Sequence, residues 1–590
     1  MLDIDYEYVT NRAALPAIAE ELIRVDCYGL DTETAGTSVS PLDGVIRLIQ
    51  LNLPSGIYVI DLFQVREASV LFDAMNKTDA IAIGHNLKFE QKWLLYHHRV
   101  VLKRLFCTMR ASFLIYNGKN LRHDIYSVIE RELNMSPPVE DNQLSDWGRP
   151  RLTQSQLDYA AFDVVPLFDL RIALKKKLAK WGLNKAALLE FQVILPEGAI
   201  ENKGIPFNKE KWLRIADENK IKAADLRSQL TAELPNPSNQ LCFPGIDPPF
   251  NLDSPSQLLK SIQKLGVDAD STREINLAAF LADFPILKKL FAYRESSKAY
   301  SAFGPKYIDH IHPLTGRIHC DFYPFTAAGR YATSGPNLGQ VPRDKRFRAC
   351  FEPGNGRKII VVDFSGIEMR GAAQITKDPT LTAIFKQGKD VHRATAAIIA
   401  RKAEEEITKD ERQRAKSANF GFLYGMGSDK FILYAQMGYG VTFSPAQAKS
   451  LRSDWFGTFS GIRAWQKKIV ELSKRRGYSR TLSGRIRHYP RPEEVYSEYM
   501  NTPVQGSCTG DGMKLSLRNV YDRLQKYGDD VFMVHHVHDE IVTECGGDPD
   551  LVEAVNQDVC EGMKEAMAGL IPDIPIEVEG GAGSSWAEKG

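Results

Sequence analysis

The sequence lacks the features that mark several common protein classes. Its eight cysteines form no Cys-x-x-Cys pair and no Cys/His spacing typical of a zinc site, so we interpret them as reduced thiols in a cytosolic type of compartment. No apolar run approaches the roughly 20 residues that a membrane-spanning helix needs. Internal repeats and low-complexity tracts are also missing. These absences exclude disulfide scaffolds, zinc ribbons and helical membrane proteins.

Net charge is nearly absent too. The chain has 75 Lys and Arg residues against 74 Asp and Glu residues, which gives a formal net charge of +1. A balanced total does not exclude a nucleic-acid partner, because acidic metal sites and a basic DNA track on one protein cancel each other. At 590 residues, 43% of them hydrophobic and 25% charged, the chain is long enough for several globular cores.

Two carboxylates stand inside apolar, β-branched runs. Asp363 lies in Ile359-Ile-Val-Val-Asp-Phe-Ser365, and Asp539 lies in Val531-Phe-Met-Val-His-His-Val-His-Asp-Glu-Ile-Val-Thr543. Each run predicts a buried strand. A buried charge is costly unless something compensates it, and two divalent metals shared by two carboxylates do so in phosphoryl transfer. The pair therefore indicates nucleotidyl transfer.

The segment 412–425 between these carboxylates combines cations and aromatics. Arg412, Lys416, Phe420 and Tyr424 recur at every fourth position, so on a predicted α-helix they form one stripe. A nucleoside triphosphate has the same polarity, because its phosphates need positive charge while its sugar and base can lie on ring faces. The alternative is an amphipathic helix with its aromatics in the core. Cations on the same stripe favour the nucleotide.

The N-terminal third has its own acidic pattern. Residues 25–33 predict a strand, and residues 44–60 predict a hairpin that follows it. Strands followed by helices indicate an α/β layer. Asp31 and Glu33 are two residues apart, so on a strand they project to the same face and can hold one metal together.

Two later segments add to this acidic pattern. Tyr159 and Asp163 lie at i and i+4 on one predicted helix face, where the carboxylate can bind metal and the phenol can orient an attacking water. Glu90, at the end of Gly84-His-Asn-Leu-Lys-Phe-Glu90, supplies a further carboxylate. Together with Asp31 and Glu33, these residues resemble the three motifs of the DnaQ-like 3′–5′ proofreading exonucleases, whose fold is ribonuclease H-like.

The rest of the chain resembles the family A DNA polymerases, of the bacterial polymerase I and phage replicative type. Asp363-Phe-Ser-Gly-Ile-Glu-Met-Arg370 is similar to the family's first motif, Asp-Tyr-Ser-Gln-Ile-Glu-Leu-Arg. The striped helix is similar to the second motif, and His538-Asp539-Glu540 to the third. Further blocks match in the family's order over residues 190 to 590: Ala328–Asn337, Gly388–Thr395, Leu482–Arg485 and Asn501–Gly506.

The two resemblances imply a multidomain protein of α/β and α+β class. A ribonuclease H-like exonuclease domain at 1–185 is followed by a right-hand polymerase. Its expected parts are a linker and thumb at 186–310, a first palm segment at 311–385, fingers at 386–494 and a second palm segment at 495–590. The thumb has no insertion of the kind that recruits a clamp-type processivity factor. We expect a cytoplasmic monomer of bacterial or phage origin, although a trimmed organellar protein would have the same composition.

Metal ligands follow from the same resemblances. Asp363 and Asp539 would bind two magnesium ions, for which manganese can substitute, and Glu540 would support that site. Two more ions would occupy the exonuclease site, with Tyr159 orienting the water. The ligands there would be Asp31, Glu33, Glu90 and Asp163.

The implied substrates are dNTPs and a primer–template DNA, in replication or repair. The triphosphate would be held by Arg412, Lys416 and His392. Phe420 would lie against the sugar, and Tyr424 and Gly425 would meet the templating base. Glu368 would pack beneath the sugar and leave no room for a 2′-hydroxyl. The implied contacts to primer or template are Arg330, Asn337, Arg485, Gln505 and His538.

Three positions depart from the family patterns. Phe364 replaces Tyr, Gly366 replaces Gln, and Glu90 replaces the usual Asp of the second exonuclease motif. Two rival functions remain open. A single-subunit RNA polymerase-like enzyme shares the paired aspartates, but Glu368 favours deoxynucleotides. A non-catalytic nucleic-acid-binding protein on the same fold is disfavoured by the retention of every metal-site carboxylate.

Overall fold

The structure is a computed structural model that describes residues 4–36, 40–136, 142, 144–237, 250–342, 344–354, 356–491 and 495–588. Its three largest clusters of buried apolar side chains lie in the N-terminal third, in the helical segment around residues 230–293 and in the remaining C-terminal part. Within the described ranges, no helix combines the length and the apolar character needed to cross a membrane.

The N-terminal unit is a six-stranded sheet with helices packed against it. Its strands are β1 (Glu7–Val9), β2 (Cys27–Gly36), β3 (Gly44–Leu53), β4 (Gly56–Asp61), β5 (Ile81–Gly84) and β6 (Arg104–Cys107). Their order is β1-β4-β3-β2-β5-β6, and β2, β3 and β4 are antiparallel while the other pairs are parallel. The predicted strand and the hairpin after it are confirmed as β2 and β3–β4.

Nine helices of this unit follow the chain. They are α1 (Leu15–Arg24), α2 (Leu62–Val65), α3 (Ser69–Lys77), α4 (Lys88–His98), α5 (Thr108–Tyr116), α6 (Ile125–Leu133), α7 (Gln154–Val164), α8 (Leu167–Lys180) and α9 (Asn184–Gln192). Helix α9 crosses the predicted boundary at residue 185, and its Ala186, Ala187 and Phe191 belong to the core of the N-terminal unit. The domain boundaries themselves remain predictions.

A helical segment follows. Its helices are α10 (Ile194–Lys203), α11 (Lys209–Glu233), α12 (Pro255–Lys264), α13 (Glu274–Leu277) and α14 (Ile286–Phe303). Helix α12 begins after Ser254, whose side chain accepts a hydrogen bond from the Gln257 backbone N–H, as the capping pattern at 251–258 predicts. Residues 238–249 of the predicted thumb lie outside the described residues, so the expectation about a thumb insertion stays a prediction.

The palm sheet has four antiparallel strands in the order β14-β15-β11-β16. They are β11 (Arg357–Phe364), β14 (Phe532–Val537), β15 (Glu540–Gly546) and β16 (Val578–Gly583). The run Ile359–Val362 is fully buried because β11 is central and covered. Two-stranded pairs complete the strands: β7 (Ile205–Pro206) with β8 (Arg317–Ile318), β9 (Asp321–Tyr323) with β10 (Ala332–Ser334), and β12 (Tyr478–Arg480) with β13 (Ile486–His488).

The remaining helices surround this sheet and build the predicted fingers. They are α15 (Lys345–Arg348), α16 (Ile367–Thr376), α17 (Pro379–Lys386), α18 (Val391–Ala400), α19 (Lys409–Leu423), α20 (Ser428–Tyr439), α21 (Pro445–Thr458), α22 (Ser460–Arg476), α23 (Glu498–Asn501), α24 (Met513–Leu524) and α25 (Pro549–Ala568). A π-helical segment (Thr502–Gly512) joins α23 to α24. π-Helical turns are rare and often lie at functional sites.

Two predicted elements are corrected by the structure. The apolar run at 531–543 is not one strand, because a tight turn at His538 and Asp539 separates β14 from β15, and His538 has a φ of 55°. The striped helix ends at Leu423, so Tyr424 caps it rather than continuing it. Gly425 follows with a φ of 75°, a conformation that ends a helix readily because glycine has no Cβ.

Candidate polymerase and exonuclease sites

The two palm aspartates meet where β11 ends beside the β14–β15 turn. Asp363 is the register partner of Glu540, and the Phe364 backbone N–H donates to the Asp539 carbonyl oxygen at 3.2 Å. Burial, followed by repulsion from Asp363, raises the pKa of Asp539 to about 7. Oxygen ligands on neighbouring carboxylates suit a hard divalent cation, which would relieve this repulsion.

Glu540 faces away from this pair into a supporting cluster. Its Oε1 accepts hydrogen bonds from Trp586 Nε1 at 2.5 Å and from Arg348 at 3.4 Å. The Arg348 guanidinium also lies 4.5 Å from the Trp586 ring centre. These contacts fit the predicted supporting role, because they hold the turn that carries Asp539.

A cavity of about 1600 Å³ opens beside the two aspartates. The predicted site residues that line it are Asp363, Glu368, Lys416, Phe420, Tyr424, Gly425, Gln505, His538, Asp539 and Glu540. They come from strand β11, helices α16 and α19, the π-helical segment and the β14–β15 turn, so the fold unites side chains that are far apart in sequence. The cavity is large enough for a nucleotide and a template base.

Sequence reasoning missed several residues that line this cavity. They are Arg348 in its contact with Glu540, Gln413, Tyr434, Tyr439 and Tyr496. The tyrosines stand on separate elements with no shared spacing. Residue type alone therefore carried no signal for them.

Arg412 and His392 lie next to the cavity without lining it. Arg412 pairs with Asp390 at 2.6 Å, and Asp390 caps α18 by accepting from the His392 backbone N–H at 2.8 Å. The His392 ring lies 5.6 Å from the ring of Phe420, and burial lowers its pKa to about 4. Asn419 donates to His392 Nδ1 at 2.9 Å, so the neutral ring carries its proton on Nε2 and can donate from there.

Glu368 is held by two neighbours inside the cavity. Its carboxylate accepts from the Tyr424 hydroxyl and from Gln505 Nε2 at 3.3 Å. Burial and the nearby Glu368 charge raise the pKa of Tyr424, so the phenol stays protonated and donates. The predicted sugar-selecting carboxylate is thus fixed in orientation.

The predicted DNA contacts fall into two groups. Arg330 and Asn337 are exposed, and Gln505 and His538 line the cavity, so all four are accessible. The prediction that Arg485 contacts DNA is wrong for this structure. Its side chain is only 3% exposed and its guanidinium is bonded to buried carboxylates, so no hydrogen-bond donor faces solvent.

The exonuclease carboxylates come together at the edge of the N-terminal sheet. One oxygen each from Asp31 and Glu33 on β2 and from Asp163 on α7 lie within 4.8 Å of one another. Burial raises the pKa of Asp31 to about 7, and burial with repulsion from Asp31 and Asp163 raises that of Glu33. Three crowded oxygen ligands fit a hard divalent cation.

Glu90 stands beside this group on α4 and is 3% exposed. Burial and the charge of Asp31 raise its pKa, so it shares the same electrostatic environment. Tyr159 on α7 is also buried, and burial together with the Asp163 charge raises its pKa. The phenol therefore remains neutral and can donate to a water or a phosphate oxygen.

Comparison with known proteins agrees with this arrangement. Residues 221–588 match the sequence profile described as DNA polymerase family A, and residues 6–179 match that of a 3′-5′ exonuclease. DNA polymerase I of Aquifex aeolicus (strain VF5) is 30% identical over 99% of this chain and 100% of its own length. DNA polymerase I of Pseudomonas aeruginosa is 29% identical over 99% of this chain and 66% of its own length.

Thermostable DNA polymerase I of Thermus aquaticus is 35% identical over 57% of this chain and 42% of its own length. Among solved structures, the POL domain of Pol1 from M. smegmatis, in complex with a DNA primer-template and dNTP, has a TM-score of 0.81. It covers 98% of this chain and 99% of its own chain at 21% identity, which supports the shared fold. The chain therefore belongs to DNA polymerase family A and carries a 3′–5′ exonuclease domain before its polymerase domain.

Proposed function

We propose that Asp363 and Asp539 perform nucleotidyl transfer with two bound divalent ions, and that the ion is Mg²⁺, for which Mn²⁺ can substitute. The chain is a template-directed DNA polymerase with proofreading, and the proposal concerns which residues do this work. The observation that carries it is the single cavity that holds both aspartates together with Glu368, Lys416 and Phe420. Bound ions supply positive charge at the primer 3′-hydroxyl and at the departing pyrophosphate.

The cavity's polarity supports an incoming dNTP beside a primer–template. Lys416, with Arg412 and a donated hydrogen bond from His392, would hold the phosphates. Phe420 would face the sugar, while Tyr424 would meet the templating base once its hydroxyl leaves Glu368. The implied DNA contacts that stay accessible are Arg330, Asn337, Gln505 and His538. The M. smegmatis neighbour was solved with these substrate classes, which supports the assignment.

For proofreading, we propose that Asp31, Glu33 and Asp163 hold divalent ions with help from Glu90. Tyr159 would orient the attacking water. Carboxylate oxygens within 4.8 Å of one another support this centre. The monomeric state and the cytoplasmic location remain predictions.

Primer extension tests the proposal directly. With a labelled primer–template and Mg²⁺, incorporation of dNTPs supports it, incorporation of NTPs supports an RNA polymerase, and binding without extension supports a non-catalytic protein. The same mixture without nucleotides reports the exonuclease through shortening of the primer. EDTA should abolish both reactions.

We expect Glu368→Ala to raise ribonucleotide incorporation. Removing the carboxylate removes the steric block beneath the sugar and also frees the hydroxyl of Tyr424. The measurement is kcat/KM for rCTP against dCTP on one primer–template. Glu368→Gln serves as the control, since it keeps the volume, and it should keep most of the discrimination. Unchanged discrimination in Glu368→Ala would place the sugar elsewhere.

We expect Phe420→Tyr to relax the rejection of dideoxynucleotides. Phe420 has no hydroxyl, so nothing at this position replaces the hydrogen bond lost when the nucleotide lacks its 3′-hydroxyl. The assay is the fraction of chains terminated by a fixed dideoxynucleotide mixture. Phe422→Tyr is the wrong control because Phe422 is fully buried, whereas Tyr434→Phe lies in the same cavity and should leave termination unchanged. Equal termination by wild type and Phe420→Tyr would contradict the placement of Phe420.

We expect Asp31→Asn to stabilise the metal-free protein at pH 8. The pKa of Asp31 is about 7 when folded against an ordinary value of 3.8, so the folded state binds the proton more tightly. The free energy of unfolding therefore falls as pH rises from about 4 to 7, and asparagine removes that penalty. Thermal unfolding in EDTA should show a higher Tm for the variant at pH 8 and a shrinking gap towards pH 4. A variant no more stable than wild type at pH 8 would show that Asp31 is not strained.

A further inference from the structure

Six charged side chains are buried together where the exonuclease domain, helices α9 and α10 and the palm meet. Each is at most 3% exposed: Arg110, Glu190, Glu197, Arg485, Asp511 and Lys514. Three cations and three carboxylates make the cluster, which we call the junction cluster, electrically neutral. Only Arg110 belongs to the exonuclease domain, on α5.

Arg110 contacts both linking helices. Its Nη1 donates to the Glu190 carbonyl oxygen at 2.8 Å and lies 3.2 Å from Glu190 Oε2, and its Nη2 pairs with Glu197. Burial alone would raise the pKa of Glu190, but Lys514, Arg485 and Arg110 lower it to about 2. Glu190 is therefore a carboxylate that three cations share.

One branch of the junction cluster leads towards the primer–template. Glu197 accepts from the Tyr331 hydroxyl at 2.6 Å. Tyr331 directly follows Arg330, an exposed cation of the loop between β9 and β10. The chain of contacts from Arg110 through Glu197 to Tyr331 thus ends one residue from a proposed DNA contact.

The other branch leads into the π-helical segment. Glu190 pairs with Arg485, whose Nε donates to Asp511 at 2.7 Å. Asp511 lies in the same segment as Gln505, which lines the polymerase cavity. The two branches also touch, because a Cβ added at Gly510 would lie 3.0 Å from the Ala328 carbonyl oxygen in the Arg330 loop.

Stability does not explain such a cluster. Ions removed from water lose their hydration, and apolar residues of the same volume are often equally or more stabilising. What directional hydrogen bonds add is orientation, because each guanidinium and carboxylate accepts its partners only in a narrow geometry. The junction cluster therefore constrains the position of the elements it joins.

We propose that Arg110 of the exonuclease domain is a positioning residue for the polymerase reaction. It acts through Glu197 and Tyr331 on the loop that carries Arg330, and through Glu190, Arg485 and Asp511 on the segment that carries Gln505. This inference rests on the proposed function, which assigns Arg330 and Gln505 to the primer–template. Its consequence is that the exonuclease domain contributes to substrate binding at the polymerase site even when no proofreading occurs.

The test compares Arg110→Met with Arg47→Met in the full chain. Arg47 is a matched control because it is equally buried and pairs with Asp61 at 2.8 Å entirely within the exonuclease domain. The primary measurement is the Kd of a labelled primer–template in EDTA by fluorescence anisotropy. We expect Arg110→Met to raise Kd by about 10-fold or more, which is the usual effect of losing a buried hydrogen bond to a charged group. Arg47→Met should stay within about twofold of wild type, because a change of that size is smaller than the loss of one ordinary hydrogen bond.

Two further readouts separate positioning from damage to the fold. Hydrolysis of the p-nitrophenyl ester of thymidine 5′-phosphate reports the exonuclease centre without long DNA contacts, and Arg110→Met should leave it unchanged. Primer extension at saturating primer–template should recover most of its rate, since the defect lies in binding. Arg110→Lys should restore part of the affinity because it keeps the charge but not the fork of donors.

If Arg110→Met does not fold, Tyr331→Phe carries the test. It removes one hydroxyl and should weaken primer–template binding about threefold to tenfold, as loss of a hydrogen bond to a charged group does. Unchanged Kd in Tyr331→Phe, or equal Kd in Arg110→Met and Arg47→Met, overturns the inference. Arg330→Ala distinguishes the two levels: if it does not weaken binding, the proposed function has misplaced the DNA, whereas weakened binding there with no effect of Arg110→Met refutes the positioning role alone.

Discussion

Primer extension should be lost when either palm aspartate is replaced by asparagine. Asp363→Asn or Asp539→Asn removes one carboxylate charge from a site where burial and mutual repulsion already raise the pKa of Asp539 to about 7. Divalent ions that neutralise the developing charge are worth several kcal/mol, so extension should slow by about a thousandfold or more. Single-nucleotide incorporation under single-turnover conditions measures the effect.

The controls for these variants test both specificity and folding. Degradation of a single-stranded 3′ end should be unchanged, because the exonuclease carboxylates lie in a different domain. Asp573→Asn removes an exposed palm carboxylate that pairs only with surface groups and should extend primers normally. Extension within about tenfold of wild type in Asp363→Asn would contradict the assignment, since a lost metal ligand costs more than that.

Degradation of single-stranded DNA should stop when Asp31→Ala and Glu33→Ala are combined. The two residues supply two of the three carboxylates whose oxygens lie within 4.8 Å of one another. With that pair removed, the remaining acids cannot hold an ion between them, and hydrolysis should fall by about a thousandfold or more. The rate of nucleotide release from a labelled oligonucleotide measures this loss.

Primer extension is the internal control for the exonuclease variant. It should proceed at the wild-type rate, and net extension with a mismatched primer end should fall because the mismatch persists. Asp79→Ala removes an exposed carboxylate of the same domain and should leave degradation intact. Continued digestion by the double variant would show that the acidic edge of the sheet is not the hydrolytic centre.

Local patterns predicted much of the architecture. The alternating and β-branched runs of β2, β3 and β4 were recognisable because neighbouring side chains along a strand decide its two faces. The cap at Ser254 was recognisable for a similar reason, since a cap needs only residues within one turn. Where the chemistry lies inside such short segments, as around Asp363, it could also be predicted.

The turn at His538 and Asp539 could not be predicted in this way. Neither residue is a glycine or an asparagine, so the apolar run showed no turn signal, and His538 adopts a positive φ because the paired strands on both sides hold it there. The end of the striped helix at Leu423 was missed for the opposite reason. Tyr424 keeps the spacing of the stripe, but its hydroxyl is bound to Glu368, 56 residues away in sequence.

By itself, the sequence determined which residues carry the chemistry of this polymerase: the paired aspartates, the cations and aromatics of the striped segment, and the acids of the exonuclease. It did so because each set lies in a short contiguous motif whose residue types are demanded by metal and phosphate. Only the tertiary structure decided which cations face solvent. Arg485 sits in a motif that resembles a DNA contact, yet its partners Glu190 and Asp511 lie 295 and 26 residues away and bury it. Burial depends on such distant partners, and no local pattern records them.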